Sequence, residues 1–163
     1  MKPLQEGIRH ESGCPKSNGN ITGRCGKGFL IFLGVKKGDT VADAELLAAK
    51  LSKLRVFEDE NGKMNRSLGD IGGELLVISN FTLCADCRRG NRPDFLSAEL
   101  PAEAERLYEY FIAKIKEFSG RPTEKGIFGA DMKVDLENDG PVTLVVESGE
   151  LKASKKGYNG GNG

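Results

Sequence analysis

The sequence predicts a mixed α/β domain in which two amphipathic helices pack on a sheet drawn from roughly six strands. Apolar residues recur every three or four positions over 41–54 and again over 101–118, while β-branched runs such as Phe29–Val35, Glu74–Ile78 and Val142–Val146 lie between turn-forming residues. A further observation concerns where two of these runs meet their loops. Ser79-Asn80-Phe81-Thr82-Leu83 and Asn138-Asp139-Gly140-Pro141-Val142-Thr143 put hydroxyls, amides and a Gly-Pro peptide at strand ends, where both side chains and backbone groups are placed to meet a ligand.

Residues 1–19 mix Pro3, Gly7, Gly13, Pro15 and Gly19 without a period and read as irregular. A short strand is expected near Ile21–Arg24, followed by Phe29–Val35 as a buried strand. Asp39 or Thr40 caps the next helix, whose stripe is Val41, Ala44, Leu47, Ala48, Leu51 and Leu54. A strand at Arg55–Phe57, a tight turn at Asn61-Gly62 and the Gly72-Gly73 pair lead to the strand Glu74–Ile78. Pro101 suits the first turn of a second helix, with Ala104, Leu107, Tyr108, Phe111, Ile115 and Phe118 as its apolar stripe. Strands at Asp131–Leu136 and Val142–Val146 complete a domain spanning 20–148. Residues 149–163, rich in lysine and glycine, read as a disordered tail.

The 163 residues, 38% of them hydrophobic, suit one domain that buries a core without disulfides or metal. With 24 basic and 24 acidic residues the net charge is zero, so nucleic acid has to be met by a local basic patch. The longest apolar stretch is too short to cross a bilayer and Met1–Ser17 lacks the apolar core of a secretion signal, which predicts no membrane partner and a cytoplasmic protein with reduced thiols. Cys84 and Cys87 form a Cys-x-x-Cys pair, but Cys14 and Cys25 are too far apart to supply a second pair for zinc, and no helix follows to make a redox motif. No metal or cofactor is expected.

For chemistry, Ser79 or Thr82 as nucleophile needs a base, and the only histidine, His10, falls in the irregular segment. An ester is also cleaved without a protein nucleophile where backbone N–H groups meet the oxyanion and a water or a substrate hydroxyl attacks. Asn138-Asp139-Gly140-Pro141 reads equally as a hairpin turn with proline entering a strand. Phe128 and Met132 suit either core packing or a stacked base. Arg88, Arg89 and Arg92, gathered beside Asp86 just after the first motif, suit either phosphate contacts or a solvated surface.

Together with Asp59-Glu60-Asn61-Gly62-Lys63-Met64-Asn65, Arg89-Gly90-Asn91-Arg92-Pro93 and Phe128-Gly129-Ala130-Asp131-Met132, the two motifs resemble the D-aminoacyl-tRNA deacylase family from about Gly19 to Val146. The resemblance implies a mainly antiparallel sheet in a homodimer, tRNA as partner, and hydrolysis of the ester joining a D-amino acid, or glycine mischarged on tRNA-Ala, to the terminal ribose. It implies amides at Phe81 and Thr82 facing the scissile carbonyl with Ser79 and Asn80 beside them. It also implies a cis Gly140-Pro141 peptide that enters the partner's pocket and excludes L side chains, with Asn138 and Thr143 at the substrate. Phe128 and Met132 then surround the terminal adenine, and Arg88, Arg89 and Arg92 meet the acceptor end. Asn80 stands where relatives more often carry glutamine. Residues 1–19 depart from the family's first strand, leaving Arg9 in register with its arginine. The rival reading is a non-catalytic module of the same fold that grips tRNA ends, similar to a domain attached to some archaeal threonyl-tRNA synthetases.

Overall fold

Two apolar runs with little polar interruption set the centre of the molecule. The computed structural model describes residues 2–8, 14–17 and 20–157, with backbone alone at 2–8, 14–17 and 155–157. Its elements are β1 (Lys2–Ile8), β2 (Cys14–Ser17), β3 (Asn20–Ile21), β4 (Gly28–Gly34), α1 (Val41–Leu51), β5 (Arg55–Glu58), β6 (Met64–Ser67) and β7 (Glu74–Ser79). A 3-10 turn at Phe81–Cys84 follows, then α2 (Pro101–Ser119), β8 (Thr123–Lys125), β9 (Lys133–Asp135), β10 (Asn138–Val145) and α3 (Ser148–Gly157). Phe29, Leu30 and Ile31 of β4 and Leu75, Leu76 and Val77 of β7 are buried on both faces, as interior strands of a covered sheet have to be.

The main sheet runs β10-β1-β4-β7-β8 and is mixed, which corrects the expected mainly antiparallel arrangement. β10 with β1 and β1 with β4 are antiparallel, whereas β4 with β7 and β7 with β8 are parallel. The reason lies in the connections: α1 separates β4 from β7 and α2 separates β7 from β8, and a helical crossover returns the chain in the same direction. The two small sheets, β3-β2-β9 and β5-β6, are antiparallel.

The helices also differ from expectation at their margins. α1 stops at Leu51, so Leu54 reaches the core from the following segment, and Val41 and Phe118 are exposed rather than buried. Ala44, Leu47, Ala48 and Leu51 of α1 meet Leu107, Tyr108, Phe111 and Ile115 of α2 in one core. A second, thinner cluster of Cys25, Leu30, Leu76 and Ile78 fills the other face of the sheet with Phe32, Met132 and Val134 against it.

Both chain ends are more regular than expected. The stretch read as irregular, 1–19, contributes β1, which pairs with β4 from Lys2↔Gly34 to Ile8↔Gly28, and β2, which pairs with β3 and β9. Pairing between neighbours overrides weak local preference there. Arg9 and His10 lie outside the described residues. Residues 149–157 of the expected tail belong to α3; 158–163 lie outside the described residues.

α3 is pinned through a helix cap. Asp43 of α1 is 4% exposed, and its Oδ2 accepts the Thr40 N–H at 3.0 Å and the Thr40 hydroxyl at 2.8 Å. Lys152 Nζ of α3 stands 2.6 Å from the other carboxylate oxygen. Burial disfavours the charged form of Asp43, but hydrogen bonds from Lys152, Thr40 and Ser148 outweigh it and hold the carboxyl well below the usual carboxylate range.

A tight contact that bears on the site is at Gly34, the last residue of β4. A Cβ there would stand 3.0 Å from Leu83 Cβ, 3.1 Å from the Asn80 carbonyl oxygen and 3.2 Å from Cys84 Sγ, so the 3-10 turn rests directly on the strand.

Two outcomes follow from these contacts. Because Asp43 titrates lower in the folded state than in the unfolded chain, its contribution is full above about pH 4 and drains away as the pH falls below that value. Asp43→Asn should therefore cost about 1–2 kcal/mol in urea unfolding at neutral pH, with the difference from the unsubstituted chain shrinking in acid. Gly34→Ala should lower stability by about 1–3 kcal/mol in the same measurement, since the turn has to give way.

Candidate active site

The parallel pairing of β7 with β4 ends at Leu33↔Ser79, and the Asn80 N–H makes the last ladder bond to the Leu33 carbonyl at 2.8 Å. Beyond it the backbone stays extended at Asn80, whose side chain turns back to cap the 3-10 turn: Asn80 Oδ1 accepts the Thr82 N–H at 3.1 Å and the Thr82 hydroxyl at 2.5 Å. The two amides expected to act as a pair are thus unequal. Thr82 N–H is engaged, while among the described residues no acceptor takes the Phe81 N–H.

A cavity of about 630 Å³ opens against this strand end. Its floor is Phe32, Leu33, Ile78 and Ser79, and Asn80 and Phe81 lie at the end of β7. Phe128, Gly129, Ala130, Asp131 and Met132 form one wall, Phe95, Ala98 and Glu99 another, and Pro101, Ala104 and Tyr108 of α2 close it. Gly126 makes the Met132 placement possible, because a Cβ there would meet Met132 Sδ at 2.8 Å. Of the residues expected at the site, the fold brings Ser79, Asn80, Phe81, Phe128 and Met132 together; Thr82 lies behind them on the turn.

The second motif is not part of this chain's cavity. Asn138 pairs with Ile8 and Thr143 with Glu6, so residues 139–142 bulge out of β10 opposite Gly7 alone. The Gly140–Pro141 peptide is cis, Gly140 has φ +134°, and both residues are exposed. Asn138 holds the bulge from inside: its Oδ1 accepts the Val142 N–H at 3.1 Å and its Nδ2 donates to Thr143 Oγ1 at 3.0 Å.

The arginine loop is closed at its base by Asp86 and Asp94, which exchange backbone hydrogen bonds of 2.9 and 3.0 Å. Arg88 forks onto Asp86, with Nη2 to Oδ2 at 2.5 Å, and that side chain together with the Arg88 N–H brings the Asp86 carboxyl down to about 2. Arg89 and Arg92 are exposed and form no ion pair among the described residues. Cys84 is buried with its thiol 3.5 Å from the Val35 carbonyl, whereas Cys87 is exposed on the loop. Among the described residues no group of three or more His, Cys, Asp or Glu side chains is placed to hold a metal ion.

Three cavity residues had no place in the expected site. Tyr108 belongs to the apolar stripe of α2, yet its hydroxyl donates to the Val77 carbonyl at 2.8 Å and its ring lies 5.8 Å from that of Phe128, so it joins β7 to the opposite wall. Burial, then the nearby Glu109, push its phenol well above the ordinary range, so it stays neutral. Phe95, edge to face with Phe81 at 5.2 Å, is separated from it by the arginine loop, and only the proximity of that loop to the first motif signalled it. Asp131 sits inside one of the motifs but carried no role.

A polar strand end whose Phe81 N–H meets no acceptor among the described residues, beside an apolar cavity with an aromatic wall, suits an acyl group beside a planar ring. Comparison with known proteins agrees. Residues 9–147 match the family described as D-Tyr-tRNA(Tyr) deacylase. The D-aminoacyl-tRNA deacylase of Thermosipho melanesiensis is 53% identical over 80% of this chain and 87% of its own length. That of Ruegeria pomeroyi is 53% identical over 88% of this chain and 97% of its own. Among solved structures, the c-Myc DNA unwinding element binding protein superposes with a TM-score of 0.83 at 34% identity, covering 90% of this chain and 98% of that one. A probable eukaryotic D-amino acid tRNA deacylase shares the fold with a TM-score of 0.73 at 14% identity, with the same coverage. On the strength of a match that spans nearly the whole folded domain, this chain belongs to the D-Tyr-tRNA(Tyr) deacylase family.

Proposed function

We propose that this chain, a hydrolase of D-aminoacyl-tRNA, releases the D-amino acid and tRNA by backbone oxyanion stabilisation at the end of β7. The observation that carries this reading is that Phe81, whose N–H no acceptor takes among the described residues, lines the cavity next to the Asn80 cap. The scissile carbonyl oxygen approaches that N–H. As the carbonyl becomes tetrahedral, the developing charge meets a donor that needs no reorientation. The attacking oxygen comes from water or from the neighbouring ribose 2′-hydroxyl rather than from the protein. Thr82 Oγ1 donates its proton to Asn80 and has no base bonded to it among the described residues, so it is a poor nucleophile. The terminal adenine stacks between Phe128 and Met132.

Chirality in this reading is sensed by a second copy of the chain. The Gly140–Pro141 bulge projects from the sheet edge and lies outside its own chain's cavity, so it serves by entering that of a homodimeric partner. There the two carbonyl oxygens occupy the space an L side chain needs, leaving room for a D residue or for glycine mischarged on tRNA-Ala. Asn138 and Thr143 support the bulge from behind. Arg89 and Arg92, with Arg88 steadied by Asp86, follow the phosphates of the acceptor end. No helix of the described residues is long and apolar enough to cross a membrane, in keeping with work on tRNA in the cytoplasm. A tRNA-gripping module without turnover would bind the same end and leave the ester intact.

Incubation with D-tyrosyl-tRNA and L-tyrosyl-tRNA should release tyrosine only from the first; loss of both or of neither refutes the exclusion scheme. Gly140→Val should abolish D-specific turnover, because a side chain at φ +134° is strained and its Cβ stands 3.1 Å from Val142 Cγ2. Thr82→Ala should keep kcat within about tenfold, whereas Asn80→Leu, which frees the turn, should lower it by about a hundredfold or more. Single-turnover rates of both variants check this.

A further inference from the structure

We propose that the exposed strip leading out of the cavity is the seat of the unpaired nucleotides preceding the terminal adenosine, an inference that rests on the deacylase reading above and extends it along the substrate. Phe81 and Phe95 line the cavity mouth, yet remain 60% and 37% exposed. Past them Leu96 and Leu100 are 76% and 67% exposed. A run of large apolar side chains facing solvent beside a ligand cavity marks an interaction surface.

The strip is rigidly framed. Its base is the Asp86–Asp94 pair, Asp94 Oδ1 accepts the Leu96 N–H at 3.1 Å, and the Ser97 hydroxyl donates to the Cys84 carbonyl at 2.6 Å. The loop that this base closes carries Arg89 and Arg92, whose charges are not met by an acid among the described residues. An occupant therefore has to present flat apolar faces to the strip and negative charge to the loop, and has to continue from whatever fills the cavity. Single-stranded RNA does all three, with bases on the apolar side chains and phosphates toward the arginines.

The experiment compares hydrolysis of the D-tyrosyl esters of adenosine and of the trinucleotide cytidylyl-cytidylyl-adenosine by the full chain. The trinucleotide should show a kcat/KM about tenfold higher at low salt, with the advantage shrinking as salt is raised. Leu96→Asp should erase most of that advantage and Leu96→Tyr should preserve it. Equal kcat/KM for the two esters, or a Leu96→Asp effect of the same size on both, would overturn the proposal. A lower solution mass for Leu96→Asp would also overturn it, by giving the strip to a second copy. Failure to cleave either D-ester would refute the deacylase reading itself, and this inference with it.

Discussion

The parallel register of β7 on β4 is the constraint from which the rest of the site descends. It decides at which residue the chain leaves the sheet, and hence that Asn80 makes the final ladder bond while the next N–H, that of Phe81, meets no acceptor among the described residues. Gly34 lets the departing chain bend sharply over the end of β4, so the amide is delivered at the sheet's edge of order and not on a long loop. A parallel pair in turn requires a crossover, and that crossover is made by α1 with the β5–β6 hairpin. The next crossover, α2, brings Tyr108 down onto the Val77 carbonyl, one wall of the cavity being thereby tied to the strand that leads into the candidate site.

Both asparagines of the two motifs work mainly on the protein itself. Asn80 spends its carbonyl oxygen on Thr82, and Asn138 spends its oxygen on Val142 and its amino group on Thr143. Each side chain stands in for a backbone partner where the regular ladder stops, which is what short amides do well at turns. This gives a physical sense to asparagine at position 80: the shorter side chain reaches its own turn two residues on. Shape of backbone, and not side-chain chemistry, is what these motifs encode.

The legible parts of the molecule were those with a strong local signal. The buried runs of β4 and β7, the stripe of α2 begun by Pro101 and the first motif all carry such signals, and five of the expected site residues, Ser79, Asn80, Phe81, Phe128 and Met132, line the cavity. β8 was missed because Thr123-Glu124-Lys125 shows no apolar alternation and is a strand only through pairing with β7. β1 was missed for the same reason, its order coming from two neighbours at once. α3 reads as polar tail by composition, and a single lysine on Asp43 of α1 with Leu151 against the core is what holds it. The mixed sheet was hidden because strand direction depends on connections, which periodicity does not report.

β10 is an edge strand of the main sheet, and such an edge is a template on which another extended chain can grow. The four-residue bulge at 139–142 breaks the row of exposed amides and carbonyls near one end, so no foreign strand can add along its full length in register. The segment proposed above to select the substrate thereby also guards the protein against fibril-like self-association. Trimming it to a regular strand would open an aggregation route and, under the proposed exclusion scheme, remove discrimination in the same step, which ties this irregularity to solubility as well as to the proposed selection.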